Sequence, residues 1–261
     1  MKINASLTDF PVYISLETFF KEFKKTGVDG LEVVGGYKNR WSFKRLFHLA
    51  EKYNLPITSF HQPIWSGVGA YFDENFFKNI SKYNVQYVTF HPLAFRAFDD
   101  DQMKKYFEKM ALMQEKYGIH MLLENMPDDL GYTKLYVPTE RKKVQQHLKK
   151  IYEVGQEYGF LFTFDISHAE LSDPTTEEIF GKMFPSIATI HLSSFTNQKH
   201  HLPLTQGNFK LEPLVALLKK QHYKGRLTLE VNENLFRRVF FPYDFESIKE
   251  SVSYFRKIAG K

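Results

Sequence analysis

Short apolar runs alternate along the whole chain with longer stretches in which apolar residues recur three and four apart. The runs are "KINAS" (2–6), "GLEVVG" (30–35), "PITSFHQ" (56–62), "VQYVTFHP" (85–92), "IHMLLENM" (119–126), "LFTFDIS" (161–167), "IATIHLSS" (187–194) and "RLTLEVN" (226–232). Their length and β-branched or aromatic content predict strands. The intervening segments, among them "SLETFFKEFKKTG", "DQMKKYFEKMALMQEKYG", "TERKKVQQHLKKIYEVGQEYG" and "EPLVALLKKQHYKG", predict amphipathic helices. Gly118, Gly159 and Gly225 stand where helix C-caps are expected. Strands that alternate with helices imply parallel pairing through helical crossovers, and near-continuous apolar strands imply burial on both faces. Eight such units in 261 residues predict an α/β fold, a single (β/α)8 barrel domain over 1–261. An open doubly wound sheet would carry a glycine-rich phosphate turn after its first strand, and none is present.

The polar residues that close these runs change the picture. Glu32, His61, His91, Glu124, Asp165, His191 and Glu230 stand at the C-terminal ends of seven strands. In a barrel those ends converge on one pocket. Carboxylates crowded there repel one another, and their burial is costly unless positive charge is supplied. A divalent cation supplies it, and a mixed imidazole and carboxylate set suits Zn2+, Mn2+, Fe2+ or Co2+ better than Ca2+.

Composition adds limits. The chain is 43% hydrophobic and 25% charged, ordinary for a globular protein. It has no cysteine, so any metal ligand is His, Asp, Glu or water, and a reducing, cytoplasmic setting fits. No apolar run spans a bilayer, and Asp9 and Pro11 break up the first residues, unlike a secretory signal. A net charge of +5 favours anionic partners, although the lysines are spread over helix-like segments and read mainly as a solvated face.

The motifs "GVDGLEV", "HQP", "FHP", "LLEN", "DISH", "IHLSS", "HLPLTQGNF" and "LTLEVNE" occur in this order along nearly the whole chain. The set resembles the xylose isomerase-like TIM barrels, which include sugar isomerases and epimerases and apurinic endonucleases of the endonuclease IV type. The resemblance implies a metal site of Glu124, Asp165, His191 and Glu230. Its endonuclease branch implies a second metal on His61 and His91, with Glu124 bridging. The same branch holds a third metal, for which His168 and His201 match the histidines, but Lys199 stands where an aspartate is expected. In the sugar branch the resemblance gives His168 to substrate.

Two functions follow as expectations. The first is an isomerase or epimerase of a small sugar or sugar phosphate that uses one or two divalent ions (Zn2+, Mn2+, Fe2+, Co2+ or Mg2+). Glu124 and Glu230 are its catalytic acid–base pair, and His168, His201, Glu32, Trp65 and Arg96 are its substrate contacts. Glu32 also reads as a metal ligand or as an acceptor behind a ligating histidine. The second is a metal-dependent phosphodiesterase with nucleic acid as its partner. Aromatic and arginine-bearing connections place Trp65, Phe95, Phe98, Phe236, Arg96, Arg237 and Arg238 at the rim, as a substrate lid or as the interface of a homo-oligomer. A barrel that only binds is disfavoured, because unused buried charge burdens stability. His48, His120, His147 and His222 read as structural or solvated.

Overall fold

Alternate residues of a strand point to opposite faces, and here the two faces differ in chemistry. The computed structural model describes residues 1–8, 14–35, 42–63, 73–91, 100–126, 141–171, 178–196, 199–231 and 244–260. The barrel strands are β1 (Asn4–Thr8), β2 (Gly30–Val34), β3 (Ile57–His61), β4 (Tyr87–Phe90), β5 (His120–Glu124), β6 (Leu161–Asp165), β7 (Ile187–Leu192) and β10 (Arg226–Leu229). They are all parallel and close in the order β1-β10-β7-β6-β5-β4-β3-β2. A separate antiparallel hairpin, β8 (Ser194–Thr196) and β9 (Lys199–Leu202), follows β7.

Helices pack around the outside. They are α1 (Leu16–Thr26), α2 (Phe43–Lys52), α3 (Glu74–Ser81), α4 (Asp100–Tyr117), α5 (Arg141–Tyr158), α6 (Glu178–Met183), α7 (Leu211–Lys220) and α8 (Phe245–Ala259). Ser15, Ser42, Asp73 and Asp244 cap the N-termini of α1, α2, α3 and α8 through their side chains. Gly118 and Gly159 end α4 and α5 in the left-handed region, as expected. Gly225 does not cap α7. That helix stops at Lys220, and His222 takes the left-handed conformation instead. A Cβ at Gly225 would lie 2.7 Å from the Ala188 carbonyl oxygen, so this glycine serves a close backbone approach.

The strands are less uniformly apolar than expected. Their outward residues are apolar and meet the helices: Phe60 packs on Phe43 and Phe76, Phe90 on Tyr106 and Phe107, and Phe164 on Phe180. Burying such a side chain contributes roughly 1.5–3 kcal/mol. The inward residues are mainly polar, with Leu122 of β5 an apolar member of the same layer. Ser59, Thr89, Thr163, Thr189 and Thr228 are all fully buried, and the Thr89 and Thr163 hydroxyls meet on the inner face of β5 at 2.8 Å. This layer lies directly beneath the strand ends. The first strand also starts two residues later than predicted, and β10 ends before Glu230.

Candidate metal centre

Two residues beyond each inward Ser or Thr comes a candidate ligand: Ser59 and His61, Thr89 and His91, Thr163 and Asp165, Thr189 and His191, Thr228 and Glu230. The period of two therefore stacks the candidates into one layer at the barrel mouth. Strand pairing sets Asp165 beside His191, while His61, Glu124 and His191 lie beside Thr89, Thr163 and Thr228 of the adjoining strands.

His191 is the hub of this layer. Its Nδ1 lies 3.0 Å from Glu124 Oε1 and 2.7 Å from Glu230 Oε2. Its Nε2 lies 2.9 Å from Glu32 Oε1, at ion-pair distance but out of line for a hydrogen bond. The Ser59 hydroxyl donates to the other Glu32 oxygen at 2.7 Å. Glu32 is thus fully buried beneath His191, with both oxygens directed at named neighbours.

His61 and His91 share the far side of Glu124. Each Nε2 stands 2.9 Å from Glu124 Oε2, and the two rings meet edge to face at 4.7 Å. His61 Nδ1 lies 2.7 Å from the carbonyl oxygen of Gln62. A carbonyl only accepts, so Nδ1 carries a proton, and Nε2 is the nitrogen that faces the centre, donating to Glu124 while the ring is protonated and able to offer a lone pair once that proton leaves. Gln62 also accepts from the His91 backbone N–H through its side chain at 3.0 Å.

Asp165 anchors a second group. Its Oδ1 accepts from the Ser167 hydroxyl at 2.8 Å and from the His168 N–H at 2.7 Å, a local turn that re-aims the chain as the strand ends. Its Oδ2 is buried without a hydrogen-bond partner. Asn125 clamps the same strand end, donating to the Asp165 carbonyl at 2.9 Å and accepting from the Asp165 N–H at 2.8 Å. The Asn125 carbonyl accepts from His168 Nδ1 at 3.0 Å, so His168 also presents Nε2. His201, on β9, meets that Nε2 with its own Nε2 at 3.0 Å. His201 is in the left-handed region at φ 57, unusual for a non-glycine residue, and this turns its ring toward His168. Its neighbour His200 places Nδ1 2.8 Å from the Ser167 carbonyl oxygen.

Electrostatics follow from this crowding. Burial pushes the Glu124 carboxyl up, but His191 and His61 override it and hold it well below the usual carboxylate range. Burial likewise opposes ionisation of Glu230 and Glu32, yet His191 brings both below their ordinary value. In return His61, despite its burial, is raised to about 9, mainly by Glu124, and His191 is raised well above its ordinary value by Glu32 and Glu230. Burial lowers His91, His201 and His200, the last to about 4. Three carboxylates held ionised against two imidazoles held protonated leave net negative charge in a dry layer, before Asp165 is counted. Two sets of donor atoms lie within 4.8 Å of one another: His61, Glu124, His191 and Glu230, and Asp165, His168 and His201. With its oxygen and nitrogen donors, its charge and the orphaned Asp165 Oδ2, the centre fits a divalent cation.

The family model of the xylose isomerase-like TIM barrel matches residues 20–258. The chain belongs to that family. Among curated proteins it is 23% identical over 157 residues to an uncharacterized protein, MJ1188, of Methanocaldococcus jannaschii, covering 58% of this chain. It spans about half (54%) of that relative's length. Solved structures that it resembles include a D-tagatose 3-epimerase-like protein (20% identity, TM-score 0.67, covering 100% of this chain and 98% of that one). Others are the 3-keto-D-glucoside 4-epimerase YcjR from E. coli (14%, 0.65, covering 98% and 99%) and an AP endonuclease of family 2 from Brucella melitensis (14%, 0.68, covering 98% and 98%). At these identities the likeness is one of fold.

Within this xylose isomerase-like barrel, Glu32, His61, His91, Glu124, His191 and Glu230 come together around His191 and Glu124, and Asp165, His168 and His201 adjoin them. Lys199 is exposed at the start of β9. Trp65, Phe95, Arg96, Phe98, Phe236, Arg237 and Arg238 lie outside the described residues. Sequence reasoning passed over Gln62, Asn125, Ser59 and Ser167. The signal was there in part: "HQ" and "EN" each put an amide directly after a candidate ligand, where it can tie one strand end to the next. No helix among the described residues is long and apolar enough to cross a membrane.

Proposed function

We propose that the protein is a divalent-metal-dependent isomerase or epimerase that moves a proton next to the carbonyl of a small sugar or sugar phosphate. One observation carries this reading: Glu124, at the end of β5, and Glu230, just beyond β10, reach the same His191 nitrogen, at 3.0 and 2.7 Å. Glu230 keeps 17% of its side chain exposed, while Glu124 is 1% exposed. Two carboxylates of one layer, Glu230 the more open and Glu124 the more enclosed, thus flank a single position at the barrel mouth, and a proton handover in two steps needs two such groups within reach of one substrate.

In this reading Glu124, Asp165, His191 and Glu230 hold the cation, and His61 and His91 hold a second where one binds. A bound divalent ion would act as a Lewis acid toward a substrate carbonyl oxygen. Glu230 removes the proton beside that carbonyl, and Glu124 serves the return step. Glu32 fixes the His191 ring, and His168 and His201 donate to or accept from sugar hydroxyls. Trp65 and Arg96 complete the contacts, the ring stacking on the sugar and the guanidinium holding a phosphate.

The test is proton exchange. Candidate ketoses and their phosphates are incubated with metal-loaded protein in deuterated water, and loss of the carbon-bound proton is followed by NMR. Glu230→Gln is expected to keep the fold and lower the rate about 10²–10⁴-fold. Full activity in that variant sinks the assignment.

A second reading, a metal-dependent phosphodiesterase, draws on His61 and His91 converging at 2.9 Å on one oxygen of Glu124. Two adjacent cations would suit in-line displacement at phosphorus. Incision of an abasic duplex under saturating metal would decide for it, and no cleavage would count against it.

A further inference from the structure

At the end of the barrel opposite the metal centre, the starts of β1, β2, β3 and β10 surround a hollow of about 520 Å³. That volume suits a small molecule. Four cations line it: Lys2, Lys219, Lys224 and Arg226. None of the four takes part in an ion pair among the described residues. The one carboxylate in the lining, Asp29, is already engaged, accepting from the Ile3 N–H at 2.8 Å and lying 3.6 Å from Arg256.

Exposed lysines alone make a solvated face. Arg226 distinguishes this one. It is half-buried at the start of β10, and its guanidinium lies 3.4 Å from the centre of the Tyr87 ring. Tyr87 opens β4, which is separated from β10 by three intervening strands in either direction around the barrel. The arginine therefore reaches across the barrel floor and is held flat against the far wall. One face of the guanidinium is fixed by the ring, and its planar edge of N–H donors matches the geometry of a phosphate. Apolar surface from the half-buried Tyr223 completes the wall.

We propose that the floor of the barrel binds a small phosphorylated anion, its phosphate held by Arg226, Lys2, Lys219 and Lys224 and its organic part against Tyr223. The site is separate from the metal centre and does not rest on the isomerase reading. It gives a role to part of the chain's surplus of positive charge.

The test is calorimetric titration of metal-free protein, kept in chelator, with inorganic pyrophosphate as the probe. Wild type is expected to bind at a single site. Lys219→Glu combined with Lys224→Glu is expected to weaken binding about tenfold or more, because two charge-assisted contacts are reversed. Both lysines are exposed, so the variant should melt with wild type. Arg226→Lys, which keeps the charge but loses the planar fork, is expected to weaken binding severalfold. Glu230→Gln, at the other end of the barrel, should bind as wild type does. No binding at millimolar pyrophosphate, or equal affinity in the double-lysine variant, overturns the proposal. Altered binding in Glu230→Gln, most simply a gain from the removed negative charge, with no change in the double-lysine variant overturns it too, since the probe would then sit at the barrel mouth.

Discussion

The Nε2 atoms of His168 and His201 face each other at 3.0 Å. His168 spends its only neutral-state proton on the Asn125 carbonyl, so its Nε2 offers a lone pair. Without a cation, His201 must carry its proton on Nε2 to satisfy the contact. With a cation, both nitrogens can turn their lone pairs to it, alongside Asp165 Oδ2.

Metal counting separates these cases. Metal-free protein exposed to Zn2+ or Mn2+ is expected to take up metal and melt higher. A ligand at 100 times its Kd adds about 2.7 kcal/mol. Elemental analysis should show fewer ions per chain in His61→Ala/His91→Ala if those residues ligate, and in His168→Ala/His201→Ala if the second group does. Unchanged counts in both would confine the metal to Glu124, Asp165, His191 and Glu230.

Glu32→Gln removes a charge that faces His191 but none of the donors proposed to hold the cation. Loss of such an orienting partner is expected to weaken metal binding about 10–100-fold. Competition with a chromophoric chelator would measure it. Unaltered affinity would show that Ser59 and the packing alone hold the ring.

Gly207→Ala tests the segment after the hairpin. Gly207 has φ 74, and a Cβ there would stand 2.5 Å from the Phe195 carbonyl oxygen and 2.6 Å from Ser194 Oγ. The backbone strain and clash are expected to cost roughly 2–3 kcal/mol. For a chain of this size that lowers the melting temperature by about 5–10 °C. Because Ser194 pairs with Leu202, next to His201, metal affinity at the second group should fall as well.

The metal-free protein should also lose stability in mildly alkaline solution. His61 rises from 6.5 to about 9 on folding, and His191 is raised too. A raised folded value contributes fully below the unfolded value and is lost as pH climbs through the folded one. Melting temperature is therefore expected to decline between about pH 6.5 and 9. Glu124 and Glu230 work in the opposite sense: their contribution is present above 4.5 and lost as pH falls toward their lowered values. A flat profile over the alkaline window would show that the imidazoles are not charged in the metal-free centre.

The barrel and the gathering of strand-end His, Asp and Glu residues were legible because both follow from periodicity. An apolar run ending in His, Asp or Glu can be read without coordinates. The hydroxyl layer was equally legible in "SFH", "TFH", "TFD", "TIH" and "TLE", where an inward Ser or Thr precedes the ligand by two. It was masked by Phe, Ile and Leu between them, which made each run look apolar throughout. The β8–β9 hairpin was not legible. "SSFTNQKHHL" is polar and does not alternate, and its conformation rests on contacts distant in sequence, such as Asn208 N–H to the Phe195 carbonyl at 2.8 Å. The failure at Gly225 has a similar cause: a glycine kept for a neighbouring carbonyl resembles one kept for a helix end.

The division between an aromatic exterior to the strands and a hydroxyl-lined axis has an evolutionary consequence. Cohesion comes from Phe60, Phe90, Phe162 and Phe164 packed against the surrounding helices, none of which touches the axis layer by way of its own strand face. Residues along the axis can then be exchanged without dismantling the wall that encloses them. A lineage built this way can trade one chemistry for another at its mouth while inheriting the same frame.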